Sequence, residues 1–203
     1  YCLHEVYGEF VPFRDMLTLC REAGNADMVY EFASTSKITF PGAGVAVMAA
    51  SEANLKYLSG LLGAQTISYD KVNQLRHVRF LQDKAHVLEL MQRHAAILRP
   101  KFEAVLAALR GIAPLNIASW TEPKGGYFVS CDAMPGTAKR TLALCAGAGV
   151  TMTPAGATYP GGNDPADSNI RIAPSFPPVE ELEQAMQIFC LALRMAALEK
   201  LGI

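Results

Sequence analysis

The chain has 203 residues, of which 51% are hydrophobic and 18% are charged. This composition is too apolar for a disordered segment, and the length suits one large domain or two smaller ones. Eighteen lysines and arginines and nineteen acidic residues give a net charge of −1. Because the chain has no basic surplus, nucleic acid and anionic membranes are not expected as its main partners.

The sequence also lacks the pattern of a membrane span. Its longest charge-free stretches, 38–51 and 141–163, are interrupted by glycine, proline and threonine, whereas a span needs about 20 apolar residues in a row. The cysteines are widely spaced and form no CxxC pair, so we expect buried thiols in a protein of the reducing cytoplasm. They are Cys2, Cys20, Cys131, Cys145 and Cys190.

In chain order, the first part of the sequence alternates helical and strand patterns, as α/β proteins do. The patterns predict a helix over 13–23, strands over 28–33 and 44–50, and a helix over 52–62. Ser51 is a favourable N-cap for the second helix. A polar loop that opens with Ser34-Thr35-Ser36-Lys37 joins the two strands.

The next segment, 70–110, has a helical pattern almost throughout and contains Pro100. Proline inside a helix removes a hydrogen bond and costs about 3 kcal/mol. We therefore expect the helix to kink or restart at Pro100, and we place a boundary between two domains, 1–98 and 99–203, near it.

The remaining segment predicts a small α+β unit. Strands are predicted over 117–121, 127–131 and 169–173, and helices over 138–146 and after Pro177-Pro178.

The histidines and nearby arginines carry little motif information. His4, His77, His86 and His94 lack metal-ligand spacing and are interpreted as ordinary surface or core residues. Arg76 and Arg79 flank His77 and could contact a phosphate, but a solvated or interface helix face explains this cluster better.

The loop at Ser34-Thr35-Ser36-Lys37 is the strongest candidate for chemistry. A lysine flanked by hydroxyls between two apolar strands is expected to be partly buried, and burial favours the neutral amine that imine chemistry requires. Hydroxyls and loop amides could also bind a phosphate. Spacing alone still favours an ordinary polar loop.

Five runs of sequence carry a family resemblance. They are FASTSKITFPGAGVAV (32–47), YDKVNQLRH (69–77), PKGGYF (123–128), TPAGATYP (153–160) and NIRIAPSFPPVEELEQAM (169–186). Together they resemble the C-terminal half of a fold-type I pyridoxal-phosphate aminotransferase of class I/II, and are most similar to a bacterial aspartate aminotransferase subgroup. The resemblance implies an α/β fold, with 1–98 as the C-terminal part of the large cofactor-binding domain and 99–203 as a small α+β domain. The large domain is expected to contain a mixed, mainly parallel sheet.

The resemblance also implies roles for individual residues. Lys37 matches the lysine that forms the imine with pyridoxal 5′-phosphate and shuttles a proton, and Ser34 matches a hydroxyl that binds the cofactor phosphate. Arg171 matches the arginine that binds the substrate α-carboxylate. Tyr1 matches the tyrosine that hydrogen-bonds the cofactor's phenolic oxygen.

Two departures from the family pattern accompany the resemblance. The aspartate that pairs with the cofactor's pyridinium nitrogen would precede Tyr1, so the chain is expected to be about half an enzyme, and inactive alone. Many relatives also place a phosphate-binding arginine seven or eight residues after the lysine, where this chain has Gly44 and Val45.

The resemblance implies ping-pong amino transfer between an amino acid, aspartate or a similar dicarboxylic acid, and a 2-oxo acid. It further implies a homodimer, in which 69–74 faces the partner's site and Lys71 is a candidate for binding a side-chain carboxylate. Two alternatives stay open: a β-lyase that uses the same lysine, and a catalytically silent regulatory or dimerisation module. Ammonia release would distinguish the first alternative from amino transfer.

Overall fold

The computed structural model describes residues 14–203, which form two compact units, 14–94 and 95–203. The helices are α1 Met16–Glu22, α2 Glu52–Gln65, α3 Lys71–Leu81, α4 Lys84–Arg110, α5 Ala138–Gly147 and α6 Val179–Leu201. The strands are β1 Tyr30–Ser34, β2 Ala46–Ala50, β3 Ala118–Trp120, β4 Val129–Ala133 and β5 Asn169–Ile172. The predicted α/β class is confirmed, and the division into domains 1–98 and 99–203 stays a prediction.

The helices of the first unit begin at side-chain caps. Asp15 accepts a hydrogen bond from the amide of Thr18 at 3.2 Å, and Ser51 accepts one from Asn54 at 3.3 Å. Asp70 does the same for α3, accepting from Asn73 at 2.9 Å. The predicted N-cap at Ser51 is therefore confirmed, and each cap satisfies an amide that the first helical turn leaves without a partner.

The sheet of the first unit consists of β1 and β2, which pair antiparallel from Tyr30 opposite Ala50 to Ser34 opposite Ala46. The mainly parallel pairing expected for the large domain is not found between these two strands. A parallel pair needs a crossover connection, usually a helix, whereas residues 35–45 form only a loop. This loop therefore returns the chain directly alongside β1.

Helix α4 runs through Pro100 without a break and leads from the first unit into the second. Of the two expectations for Pro100, a kink or a restart, the restart is therefore wrong and the kink stays a prediction. Leu98, Phe102, Val105 and Leu109 are all buried and lie at helical spacing on one continuous stripe. Burial of these side chains, each worth about 1.5–3 kcal/mol, offsets the hydrogen bond that Pro100 removes.

The second unit is built on the antiparallel sheet β3-β4-β5. One face of this sheet is apolar and buried, with Val129 and Cys131 of β4 beside Ile170 and Ile172 of β5. The other face is polar, because Ser130 lies opposite Arg171 and Asp132 lies opposite Asn169. This alternation follows from the two-residue period of a strand.

The core of the second unit combines the buried sheet face with one face of each neighbouring helix. Phe102 of α4, Cys145 of α5 and Phe189 of α6 are all at most 1% exposed. Helix α5 packs against α6, and a bidentate ion pair joins Arg140 to Glu199 across them at 2.6 and 2.7 Å. In residues 14–203, no helix is long and apolar enough to cross a membrane.

Candidate functional site

Lys37 lies on a short helical turn that directly follows β1. The amides of Ile38 and Thr39 both donate to the carbonyl oxygen of Thr35, at 3.0 and 2.9 Å. The amide of Thr35 donates in turn to the carbonyl of Val45 at 2.9 Å, which closes the loop just before β2. The backbone on both sides of Lys37 is therefore fixed by hydrogen bonds.

Ser34 is the last residue of β1, and its hydroxyl is placed by this turn. Its Oγ accepts a hydrogen bond from the amide of Ser36 at 3.1 Å. Because an accepted hydrogen bond uses a lone pair, the Ser34 hydroxyl keeps its own hydrogen to donate elsewhere. Ser34, Ser36 and Lys37 are all exposed, so two hydroxyls and one amine are accessible within four consecutive residues.

The expectation that Lys37 is partly buried is wrong for the described residues, in which the side chain is exposed. The strands on either side of the loop are themselves largely exposed within residues 14–203. Within residues 14–203, Lys37 is therefore accessible to solvent.

Gly44 explains why an arginine is absent from one of the two positions after Lys37. A Cβ added to Gly44 would lie 3.0 Å from Cβ, 3.1 Å from Cα and 3.2 Å from N of Ser36. These distances are tighter than ordinary van der Waals contacts, and two of the atoms belong to the backbone. A side chain at 44 would therefore displace the turn that carries Ser36 and Lys37.

His77 and Asn73 of α3 contact this same loop. His77 Nε2 lies 3.0 Å from Oγ1 of Thr35 and 2.9 Å from Oγ1 of Thr39, while Asn73 donates to the carbonyl of Ala43 at 2.8 Å. The interpretation of His77 as an ordinary surface or core residue agrees with its burial but does not include these contacts. The sequence shows only that Asn73 and His77 are one helical turn apart, and their contacts with the loop depend on the tertiary structure.

Arg171 lies in the second unit, on the polar face of β5. Its guanidinium carbon lies 4.5 Å from the centre of the Phe128 ring, a cation–π contact. Its Nε is buried and has no hydrogen-bond partner among residues 14–203. The side chain is therefore supported by an aromatic face while part of its hydrogen-bonding capacity stays unused. The sequence analysis did not single out Phe128.

A cavity of about 580 Å³ lies beside Arg171. It is bounded by residues 148–153, by the end of β5 and by the first half of α6. Its lining is largely apolar, with Met152, Phe176 and Phe189, and includes Glu181. A volume of this size suits a small organic molecule.

The loop before Arg171 is fixed by Asp164. The carboxylate of this buried residue accepts hydrogen bonds from the amides of Ala166, Ser168 and Asn169 at 2.8 to 3.0 Å. The amides of Asn169 and Ser168 hold the pKa of Asp164 below its usual range. Asn169 then donates to Ser130 and Asp132 on β4, at 2.9 and 2.7 Å. This network fixes the start of the strand that carries Arg171.

Three further residues were singled out in the sequence: Tyr1, Lys71 and Arg76. Tyr1 lies outside the described residues. Lys71 is the exposed first residue of α3, and Arg76 on the same helix places its guanidinium 5.3 Å from the centre of the Phe40 ring. The stacking of Arg76 accounts for part of the basic cluster without a phosphate.

The cysteines of the second unit are buried, as predicted. Burial raises the pKa of the Cys131 thiol to about 12 and that of Cys145 to about 11, and it also raises the pKa of Cys190. Cys20 in the first unit is half-buried. The three buried thiols therefore act as small core residues.

Comparison with known proteins identifies a family. A sequence model described as "Aspartate amino-transferase" matches residues 1–202. An aspartate aminotransferase of Corynebacterium glutamicum is 44% identical over 200 residues, which are 98% of this chain and 46% of that protein. The chain thus spans about half the length of this relative.

Solved structures agree with the sequence match. The crystal structure of an aspartate transaminase from Corynebacterium glutamicum has a TM-score of 0.92 and 43% identity, covering 98% of this chain and 47% of that chain. An α-aminoadipate aminotransferase from Thermus thermophilus shares the fold, with a TM-score of 0.74 at 22% identity over 93% of this chain and 47% of its own. On the match of the family model to nearly every residue, this chain belongs to the aspartate aminotransferase family.

Proposed function

We propose that the protein containing this chain transfers an amino group between an amino acid and a 2-oxo acid by a ping-pong mechanism, using pyridoxal 5′-phosphate. The preferred amino acid is proposed to be aspartate or a similar dicarboxylic acid, in line with the relative's name. The observation that carries the proposal is the fixed turn that presents Lys37 and the Ser34 hydroxyl within four residues.

The described residues fit this cofactor by their chemistry. An accessible primary amine can bond to an aldehyde carbon, and hydroxyl groups can donate to phosphate oxygens. The close approach of Gly44 to Ser36 keeps the loop narrow, so that a bound group meets backbone and hydroxyls rather than a bulky side chain. When bound, pyridoxal phosphate supplies the electron sink that stabilises negative charge at the substrate Cα.

Lys37 has two proposed tasks. Its amine holds the cofactor until an amino acid replaces it, and afterwards accepts and returns the proton at the substrate Cα. Ser34 donates the hydrogen of its hydroxyl to a phosphate oxygen, because its lone pair is already engaged by the amide of Ser36.

Arg171 is proposed to bind the substrate α-carboxylate. A planar guanidinium matches a carboxylate with two parallel hydrogen bonds, and Phe128 holds that plane from one side. The buried Nε has no hydrogen-bond partner among residues 14–203, so the guanidinium retains unused hydrogen-bonding capacity. Fixing the carboxylate orients the Cα–H bond and restricts the substrate to α-amino acids.

A cytoplasmic homodimer is proposed on the family resemblance, with residues 69–74 facing the partner. Tyr69 and Val72 in this segment are 56% and 74% exposed, so the segment has apolar surface available for such a contact.

Product analysis with the full-length protein tests this function. We expect aspartate and 2-oxoglutarate to yield oxaloacetate and glutamate in equal amounts, without ammonia. Lys37→Ala should abolish this exchange, whereas Lys56→Ala, which removes an exposed lysine of α2, should leave it unchanged. Ammonia in place of glutamate would favour a lyase, and cofactor binding without turnover would favour a regulatory module.

A further inference from the structure

His77 has an unusual position in the first unit. Of residues 14–94, it is the only one that is buried, with 5% of its surface exposed. Buried side chains are normally apolar, because burying a polar group costs free energy unless it is hydrogen-bonded. Both ring nitrogens of His77 meet this condition.

The hydrogen bonds assign the tautomer of the ring. Nδ1 lies 2.9 Å from the carbonyl oxygen of Asn73, which can only accept, so Nδ1 carries a hydrogen. Thr35 Oγ1 accepts from the amide of Val45 at 2.9 Å and keeps its own hydrogen for Nε2. Thr39 Oγ1 lies 2.9 Å from Nε2 and donates to the carbonyl of Thr35 at 2.9 Å. Nε2 therefore accepts from the Thr35 hydroxyl, whereas Thr39, whose hydrogen goes to the carbonyl of Thr35, lies beside Nε2 without donating to it.

These two threonines flank Lys37 on either side, two residues away. One imidazole thus contacts both ends of the turn, although His77 is 42 residues from Thr35 and 38 from Thr39. The ring of Phe40 adds an edge-to-face contact, with its centre 5.5 Å from that of His77. One turn earlier on α3, Asn73 holds the carbonyl of Ala43 on the far side of the loop.

We propose that His77 is a positioning residue for Lys37. It holds Thr35 by a hydrogen bond and contacts Thr39, and through them it sets the direction in which the Lys37 amine leaves the turn. The proposal rests on the function proposed for Lys37. His77 itself is not expected to touch substrate or cofactor.

The first test compares His77→Leu with His86→Leu in the full-length protein. His86 is an exposed histidine of the same unit, on α4. We expect His77→Leu to lower kcat at least about tenfold with KM for the amino acid almost unchanged, because misplacing a reacting group acts on the chemical step. His77→Gln should restore kcat to within about threefold, since its amide oxygen can accept from the Thr35 hydroxyl. Unchanged kcat in His77→Leu would overturn the proposal.

The second test uses the cofactor-free protein and does not depend on activity. Lys37 and Lys56 compete for a limiting amine-reactive ester, and mass spectrometry gives the ratio of their labelling. We expect His77→Leu to change this ratio by at least about threefold, because the environment of the amine changes with its direction, and His86→Leu to leave it unchanged. An unchanged ratio in His77→Leu would contradict the proposal.

Folding of the variants is followed by circular dichroism. If His77→Leu does not fold, Thr35→Val removes the hydroxyl that donates to Nε2 and must lower kcat and shift the labelling ratio in the same direction. A lower Tm with unchanged kcat and labelling would show a merely structural histidine and overturn the proposal. If the wild-type protein attaches the cofactor to another lysine, the proposed function fails; if it attaches to Lys37 and His77→Leu is silent, only the positioning role fails.

Discussion

The two units of this chain are stabilised in different ways. Residues 95–203 bury apolar side chains from the sheet and from three helices, whereas residues 14–94 bury His77 alone. In the first unit, caps and loop hydrogen bonds define the local structure while apolar side chains such as Phe32 and Ile67 stay exposed. Within the described residues, the second unit thus contains a core of its own, whereas residues 14–94 have defined local geometry around Lys37 and bury no apolar side chain.

The largest expected difference between the units concerns the loss of a phenylalanine. Phe189 is fully buried, so Phe189→Ala should lower the free energy of unfolding by about 3–5 kcal/mol. Phe32 is 75% exposed, and Phe32→Ala should change that free energy by less than about 0.5 kcal/mol. Denaturant unfolding of the 203-residue chain measures both. Similar losses for the two variants would remove the distinction between the units.

The cysteines provide a second comparison. Cys131 and Cys145 are completely buried with a raised pKa, whereas Cys20 is half-buried. A thiol-reactive reagent at neutral pH should therefore modify Cys20 at least about a hundredfold faster, because burial raises the pKa of Cys131 and Cys145 and blocks access to them. Mass spectrometry of peptides from briefly labelled native protein gives the rates. Equal labelling of Cys20 and Cys131 would contradict the buried core.

A third prediction concerns Arg171. Because the second unit has a buried core, replacing this residue should affect activity much more than stability. Arg171→Lys in the full-length protein keeps the positive charge but removes the planar guanidinium that donates two parallel hydrogen bonds. It should therefore weaken the proposed contact with the substrate carboxylate, which is worth about 1.5–3 kcal/mol. We expect kcat/KM to fall about 10- to 100-fold for aspartate and alanine alike, with Tm nearly unchanged.

The control for this variant is Arg140→Lys, at an exposed ion pair in the same unit, which should leave kcat/KM unchanged within about twofold. A drop in Tm for Arg171→Lys without a drop in kcat/KM would assign Arg171 a structural role only.

The smallest expected effect is the pH dependence contributed by Asp164. Its pKa is lowered by amide hydrogen bonds, so its stabilisation is complete above the unfolded pKa of about 3.9 and is lost as the pH falls through the lower folded value. Asp164→Asn should lower Tm at pH 7, and the difference in Tm from the wild-type protein should shrink between pH 5 and pH 3. Glu183→Gln, at an exposed position of α6, should show no such trend. A constant difference for Asp164→Asn would rule out the titration.

Local patterns in the sequence predict most elements of this fold and fail where distant residues decide. Ser51 and the apolar periods identify the helices because caps and periodicity are local properties. The restart at Pro100 is wrong, and the burial of Leu98 and Phe102 around it is a tertiary property that the local pattern does not contain.

The candidate site shows the same division. Ser34, Lys37 and Arg171 come from short motifs shared with a family. The contacts of His77 with Thr35 and Thr39 join residues about 40 positions apart, which no periodicity reveals. The exposure of Lys37 likewise depends on which layers surround the loop, and that is a tertiary property.

The central claim, that the fixed turn presents Lys37 as the cofactor-binding lysine, is tested most directly by borohydride reduction of the full-length protein with pyridoxal phosphate. Reduction makes the bond between cofactor and lysine permanent, and peptide mapping then identifies the residue. The account predicts the pyridoxyl group on Lys37 alone, and none in Lys37→Ala. A pyridoxyl group on Lys71 or Lys124 of the wild-type protein would contradict it.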